Sequence, residues 1–173
     1  MAINLQEIRT AVISYVDTKV TVSVSTIAPV TGASIGPNEE FSFTLTAKNA
    51  DSASGGIALK DIIWRVWVQD DAVGKLIVPA SPMVARSGLS SSSGTLTVGT
   101  LVKEMYLFPP NSLGNYLHVG DTDTINLRGK AGAAPEGGTT EIKFKISADV
   151  DLAWLFPKDQ DSSTCARVLI VDG

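Results

Sequence analysis

The stretch Pro37–Lys48 constrains the fold more than any other part of this 173-residue chain; it reads Pro-Asn-Glu-Glu-Phe-Ser-Phe-Thr-Leu-Thr-Ala-Lys. Phe41, Phe43, Leu45 and Ala47 alternate with Ser42, Thr44, Thr46 and Lys48. A period of two gives an extended segment one apolar and one polar face, as in a half-buried strand. The polar loop Asp51–Gly56 follows, and a second β-rich run, Ile57–Val68, leaves it. There Ile62, Trp64, Val66 and Val68 occupy one parity, and Ile63, Arg65 and Trp67 the other. Both faces are largely apolar, as expected of a central strand or of one whose second face is covered.

The same reading extends along the chain. Val20, Val22 and Val24 alternate with hydroxyl residues, which predicts a strand over 19–28. Lys75–Val78 is a short strand ended by Pro79, and Thr95–Val98 with Leu101–Phe108 form a strand pair turning at Gly99-Thr100. Asp121–Leu127 is a strand through Ile125 and Leu127, followed by a bend at Gly129–Gly138. Ile142, Phe144, Ile146 and Ala148 alternate with Lys143, Lys145 and Ser147, and Ala166–Val171 closes the chain as a strand. Residues 80–94, with Ser90–Ser93, read as a flexible connection, and Lys158–Ser163 as a polar loop. Asn4 and Glu7 fit a capping-box start. Leu5, Ile8, Val12 and Tyr15 or Val16 then recur at helical spacing, which predicts a short amphipathic helix over 4–16; the β-branched Val12, Ile13 and Val16 leave a strand as the alternative. The expected organisation is an N-terminal helical docking segment, residues 1–18, and a single all-β domain, residues 19–173. Eight or nine strands spaced by turns are the pattern of an antiparallel β-sandwich.

Two internal echoes reinforce this. Gly36 precedes Phe41, Phe43 and Ala47 at the same spacings as Gly120 precedes Ile125, Leu127 and Ala131. Each copy runs on to a glycine pair, Gly55-Gly56 or Gly137-Gly138, and then to another alternating strand. Leu107-Phe108-Pro109 is matched by Leu155-Phe156-Pro157. Recurrent turn chemistry and duplication both account for such echoes.

A turn with Gly or Pro and acidic residues, an alternating strand ending in Lys-Asn, and a Gly-rich bend into another strand resemble the immunoglobulin-like modules of bacterial surface and phage-tail proteins, CARDB-type modules among them. The resemblance covers Gly36–Val68 and, less closely, Val119–Ala148. It implies an Ig-like sandwich. The helix-like N-terminal segment and the expected lack of a secretion signal depart from that family, which argues against a surface-anchored role.

Composition narrows the function classes. The formal net charge of -4 and pI of about 4.9 argue against nucleic acid and anionic membrane as partners. Glu7 and Arg9 interrupt the first apolar positions, so no signal peptide is expected, and no run approaches a membrane span. Synthesis in the cytoplasm is the expectation, with release as part of a particle compatible with it. One cysteine, Cys165, and one histidine, His118, exclude an intrachain disulfide and a structural zinc site. No Gly-x-Ser-x-Gly elbow or phosphate-binding loop occurs, so an enzyme is not expected.

Two function classes remain. The first is a non-enzymatic structural or adaptor subunit of a larger homo- or hetero-oligomeric assembly, such as a phage or phage-tail-like particle. Its candidate interaction residues are Leu5, Ile8 and Val12 of the helix, Ile63 and Trp67 on the second face of their strand, and Trp154 and Phe156. The second is a ligand- or carbohydrate-binding sandwich, with Trp64, Tyr106, Phe108 and Tyr116 as further aromatic candidates. Calcium would support it through Asp149, Asp151, Asp159 and Asp161, since paired carboxylates at loop ends supply oxygen ligands. Asp70-Asp71 and Asp121-x-Asp123 are lesser candidates, and no other cofactor is expected.

Overall fold

The computed structural model describes helical backbone at positions 7, 10, 11, 14, 15, 18 and 19, and residues 20–28, 35–49, 58–80, 82–90, 92–108, 116–133, 140–150 and 160–168, the last two as backbone strands. Eleven strands follow in chain order: β1 (Val20–Ala28), β2 (Glu40–Asn49), β3 (Leu59–Val68), β4 (Gly74–Ile77), β5 (Val84–Arg86), β6 (Leu101–Val102), β7 (Glu104–Phe108), β8 (Tyr116–Leu117), β9 (Thr122–Ala131), β10 (Thr140–Val150) and β11 (Gln160–Val168). They form two antiparallel sheets, β1-β2-β9-β4-β6 and β11-β10-β3-β7-β5, and β8 pairs with β3 beyond the end of β7.

The sheets pack face to face through the alternating residues. On β2, Phe41, Phe43, Leu45 and Ala47 are buried, while Ser42, Thr44, Thr46 and Lys48 stay partly exposed on the other face. Trp64, Val66 and Val68 of β3, Leu76 of β4, Met105 and Leu107 of β7, and Ile125 and Leu127 of β9 complete the same core. Each fully buried Phe or Leu contributes about 1.5–3 kcal/mol relative to exposure. The indole N–H of Trp64 donates across the core to Asp123 Oδ2 at 3.4 Å.

β3 keeps its apolar residues inward with the help of a bulge. Ser147 pairs with Ile63 but Asp149 pairs with Lys60, so three steps of β3 match two of β10. The extra residue exchanges the parity of the strand. Leu59 before the bulge and Ile62, Trp64, Val66 and Val68 after it all join the core. With β10 along one edge and β7 and β8 along the other, β3 is the central strand its sequence predicts.

The first echo has a structural counterpart. Its two leading strands, β2 and β9, lie side by side, with Phe43 opposite Leu127 and Leu45 opposite Ile125. The two strands that follow, β3 and β10, also lie side by side, in the other sheet. The two halves are therefore arranged as antiparallel neighbours in both layers. The second echo, at 155–157, lies outside the described residues.

Several boundaries differ from expectation, each for a local reason. Thr95–Val98 is no strand; Thr95 makes a single bridge to Arg86. Leu101–Phe108 divides at Lys103 because the chain changes sheets there: β6 pairs with β4, and β7 pairs with β3 and β5. Lys103 O accepts from Val68 N at 3.0 Å at the crossing. The connection over 80–94 contains β5, whose single inward residue, Ala85, leaves no apolar alternation to read. Ser90 and Ser93 close a turn, Ser93 N to Ser90 O at 2.9 Å. β11 starts at Gln160, inside the expected polar loop. β9 runs through Gly129 to Ala131 instead of bending, because Gly129 is a packing residue: a Cβ there would lie 2.2 Å from Phe41 Cζ and 2.8 Å from the Lys75 carbonyl oxygen.

The helical backbone reaches Lys19, beyond the expected end at residue 16. Tyr15 packs against the core and donates its hydroxyl to Asn49 Oδ1 at 2.7 Å. Asn49, fully buried at the end of β2, donates its amide to Leu117 O at 3.0 Å. One buried amide thus ties the N-terminal segment and β8 to β2. Leu5, Ile8 and Val12 lie outside the described residues.

Gly129→Ala is expected to destabilise the fold by about 1–3 kcal/mol, because Phe41 and a backbone carbonyl would both have to move. Gly94→Ala, whose nearest contact would be Ser87 Oγ at 3.9 Å, is expected to change stability by no more than about 0.5 kcal/mol. Urea unfolding of the two variants beside the parent checks the contrast.

Candidate functional site

The outer face of the second sheet carries the site. Along β7, Met105 and Leu107 point into the core, so Glu104, Tyr106 and Phe108 occupy the outer face. Along β5, Ala85 is buried, which leaves Val84 and Arg86 outward. Along β3, Arg65 and Trp67 alternate with the buried Trp64, Val66 and Val68. The register then aligns these residues across three strands. Arg65 stands opposite Tyr106, and Tyr106 opposite Arg86. Trp67 stands opposite Glu104, and Phe108 opposite Val84.

The side chains interlock. The Arg65 guanidinium carbon lies 4.3 Å from the centre of the Trp67 ring and 5.7 Å from that of Tyr106. Arg65 Nε also donates to Glu104 Oε1 in a short ion pair. The Arg86 guanidinium lies 4.8 Å over the Phe108 ring. Exposed cation–π contacts contribute roughly 0.5–1 kcal/mol each, and an ion pair this open contributes roughly 0.2–1 kcal/mol. These are small terms for stability. Their larger effect is to hold long side chains in one arrangement, which lowers the entropy lost when a partner binds.

The Tyr106 hydroxyl ionises above its ordinary value of 10.0, first because burial disfavours the phenolate and next because the Glu104 charge repels it; Arg65 opposes both in part. Tyr106 is therefore a neutral phenol at physiological pH, able to donate or accept. Along β5, β7 and residues 64–68 of β3, Glu104 is the one carboxylate, and Arg65 holds it. The arrangement presents aromatic faces, guanidinium donors and a phenol. That is binding chemistry.

The sequence-predicted residues are distributed as follows. Trp67 is half-buried on this face, but Ile63, expected beside it as an exposed apolar contact, is 1% exposed and covered by the chain itself. Trp64 is wholly buried, which removes it from any surface role. Tyr106 and Phe108 belong to the site. Arg65, Glu104 and Arg86 were not among the expected residues; the parity of Arg65 with Trp67 was the one signal for them. Trp154, Phe156, Asp151 and Asp159 lie outside the described residues. Asp149 pairs in register with Lys60, and Asp161 with Ser147, on adjacent strands. No group of three or more metal-ligating side chains occurs among the described residues. The lesser acidic pairs have structural duties: Asp70 Oδ1 accepts from Ala72 N at 3.0 Å, Asp121 Oδ2 from His118 N at 3.3 Å, and Asp123 from Trp64. A shallow depression on the opposite sheet is lined by Ser42, Thr44, Asn126 and Arg128. Its polar groups already pair, Thr44 with Asn126 at 2.7 Å and Arg128 with Glu40 at 2.9 Å.

No family model and no curated protein matches the chain. Solved structures do. A chain of the CaDoc0917–CaCohA2 complex is similar over 87% of this chain and 100% of its own, at 13% identity and a TM-score of 0.50. The sixth cohesin of scaffoldin B from Acetivibrio cellulolyticus, in complex with a Cel5 dockerin, is similar over 88% of this chain and 99% of its own, at 16% identity and a TM-score of 0.48. AvmM, which catalyzes macrocyclization in alchivemycin A biosynthesis, is similar over 91% of both chains, at 11% identity and a TM-score of 0.44. At these identities the likeness bears on fold alone: the chain is an all-β sandwich.

Stability should fall as pH rises above about 10, the ordinary tyrosine value, because the unfolded chain ionises there while folded Tyr106 keeps its proton until its own higher pKa is passed. Tyr106→Phe should remove that part of the alkaline loss. Glu104→Gln should move the folded Tyr106 pKa back toward 10.0 by removing the repelling charge. Ultraviolet titration of the tyrosinate band, with unfolding measured at each pH, checks both.

Proposed function

We propose that this chain is a non-enzymatic protein-interaction module, an adaptor or structural subunit of a larger assembly, which meets its partner with the outer face of β3, β7 and β5. The observation that supports this most is the interlocked set of Arg65, Trp67, Tyr106, Arg86 and Phe108, held partly exposed on a sheet face. Trp, Tyr and Arg are the residues that dominate binding energy at protein interfaces. Use of the sandwich for protein association also agrees with the CaDoc0917–CaCohA2 complex, in which a chain of this fold takes part. The assembly we envisage is a particle of phage or phage-tail-like type, homo- or hetero-oligomeric, built from subunits made in the cytoplasm; it rests on the sequence resemblance of Gly36–Val68. Residues 1–18 would be a second attachment point in that assembly.

Capture from the native cell lysate, with identification and mass measurement of what is bound, tests the reading. The parent chain should retain a stoichiometric protein partner or form a defined multimer. Trp67→Ala should weaken that association by about thirtyfold or more, the effect of an interface residue worth roughly 2 kcal/mol, with unchanged circular dichroism. Thr124→Ala, on the other sheet, should leave it intact. Equal retention by Trp67→Ala, or a parent chain that stays monomeric and captures nothing, would contradict the proposal.

A further inference from the structure

The exposed large hydrophobic side chains among the described residues are Val84, Leu89, Val98 and Leu101, and all four belong to one edge of the sandwich. Scattered apolar residues on a surface are ordinary, but a group of them marks a contact. β5 and β6 are the end strands of their sheets, and the chain from Gly94 to Val102 joins the two. Leu96 N donates to Ala85 O at 2.8 Å on the β5 side. On the other side Gly99 N donates to Val78 O, and Val78 N to Thr100 O, both at 2.9 Å. Thr100 closes the turn between them, its N and Oγ1 donating to Thr97 O at 3.2 and 2.6 Å. The edge is thus fastened to both sheets, which holds its side chains in place before any partner arrives.

The apolar residues gather around this turn. Val102 packs against the core, so Leu101 faces outward, opposite Ile77. Leu76 and Val78 are core residues, so Ile77 lies on the outer face as well; at 7% exposure it extends the apolar ground inward from the edge. Val98 stands in the turn and is the most exposed of the four, at 59%. Arg86 bridges to Thr95 and Ala85 bonds Leu96, so the register brings Val84 beside Thr97. Leu89 lies at the far end of the same hairpin, in the loop that Ser87 N closes onto Gly94 O at 3.0 Å.

Two features fit this edge to a second copy of the chain. The first is charge. From Ser87 to Val102 the sequence holds no charged residue. The bordering charges are engaged: Arg86 lies over Phe108, Lys103 stands 3.8 Å from Asp71, and Arg128, beyond Ile77, is 2.9 Å from Glu40. The chain carries a formal net charge of -4, so copies repel one another in general. An uncharged edge lets them meet without opposing like charges or burying one alone. The second feature is the backbone. Hydrogen-bonded and non-hydrogen-bonded rungs alternate along an antiparallel pair. The bonds between Val78 and Thr100 therefore make Ile77–Leu101 a non-bonded rung, and the N–H and C=O of Leu101 point away from β4 toward the open edge. Antiparallel pairing of Leu101 with its counterpart in a second copy joins both groups by exchange across a two-fold axis. β6 is two residues long, so backbone pairing stops there and the side chains of Val98 and Leu101 supply the remaining contact.

We infer that the β5–β6 edge is a self-association surface, where two copies of the chain meet about a two-fold axis near Leu101 with Val98, Leu101 and Ile77 as the apolar contact. This goes beyond the docking reading, since it uses the sandwich edge and not the outer face of β3 and β7.

Sedimentation velocity of the full chain over a rising concentration series tests it. The parent should pass from monomer to dimer and no further, because two-fold pairing uses up the edge. Leu101→Lys and Val98→Lys should each weaken dimerisation by about tenfold or more, since each removes apolar burial and places a charge on both sides of the axis. Both side chains are exposed, so circular dichroism should be unchanged. Raising the salt should leave the dimer intact, as an uncharged contact requires. A parent that stays monomeric throughout, a dimer indifferent to both lysine variants, or a dimer dissociated by salt would overturn the inference. A dimer lost on Trp67→Ala but kept by Leu101→Lys would also overturn it and assign the association to the docking face. A Leu101→Lys chain that becomes monomeric yet still captures the lysate partner would establish the edge as a surface separate from that face.

Discussion

Phe41, Phe43, Leu45 and Ala47 of β2 must be covered, and the rest of the sandwich follows from how they are. Their cover is Trp64, Val66 and Val68 of β3, across the core, and Ile125 and Leu127 of β9, alongside. Because β2 pairs with β9 in one sheet and β3 with β10 in the other, four long strands form a closed frame with two matching halves. The frame is tight enough to require glycine where β9 passes Phe41, and to require a bulge in β3 so that Leu59 and Trp64 both face inward. The shorter strands, β4 to β8, are attached to this frame.

The frame sets a contrast between its two outer surfaces. On the first sheet, the residues opposite the core positions include Thr21, Ser23 and Ser25 of β1, Ser42, Thr44 and Thr46 of β2, and Thr122, Thr124 and Asn126 of β9, with the charged Glu40, Lys48 and Arg128 beside them. Most are short, uncharged side chains that satisfy strand propensity and meet water, and two of the charged ones, Glu40 and Arg128, pair with each other. On the second sheet the same structural positions hold Arg65, Trp67, Glu104, Tyr106, Arg86 and Phe108. Nothing in the packing of the core asks for that difference. The individual contacts on the second sheet add little to stability, so their arrangement is better explained by what they present than by what they hold together.

Strong alternation was legible in the sequence wherever burial was one-sided and long. β1, β2 and the middle of β10 follow directly from it, and the doubly apolar Ile62–Val68 was recognisable as a central strand. Short strands with one inward residue, such as β5, carry no period to detect. Gly129 read as a bend because glycine usually marks one; its actual reason, the approach of Phe41, lies on another strand. Likewise Lys103 has no local sign that the chain changes sheets there. The candidate site was half visible. Trp67, Tyr106 and Phe108 could be picked out as aromatic residues, but their grouping with Arg65, Arg86 and Glu104 arises from register between three separated segments. Ile63 misled because the strand's second face is not uniformly exposed.

The central claim, that this face and not the hydroxyl-rich one meets the partner, is tested most directly by site-specific photo-crosslinking in the native cell. A photoreactive phenylalanine analogue at position 106 should cross-link to one predominant protein. The same analogue at position 124 should give none of that product. Equal cross-linking from both positions, or products from position 124 alone, would contradict the account.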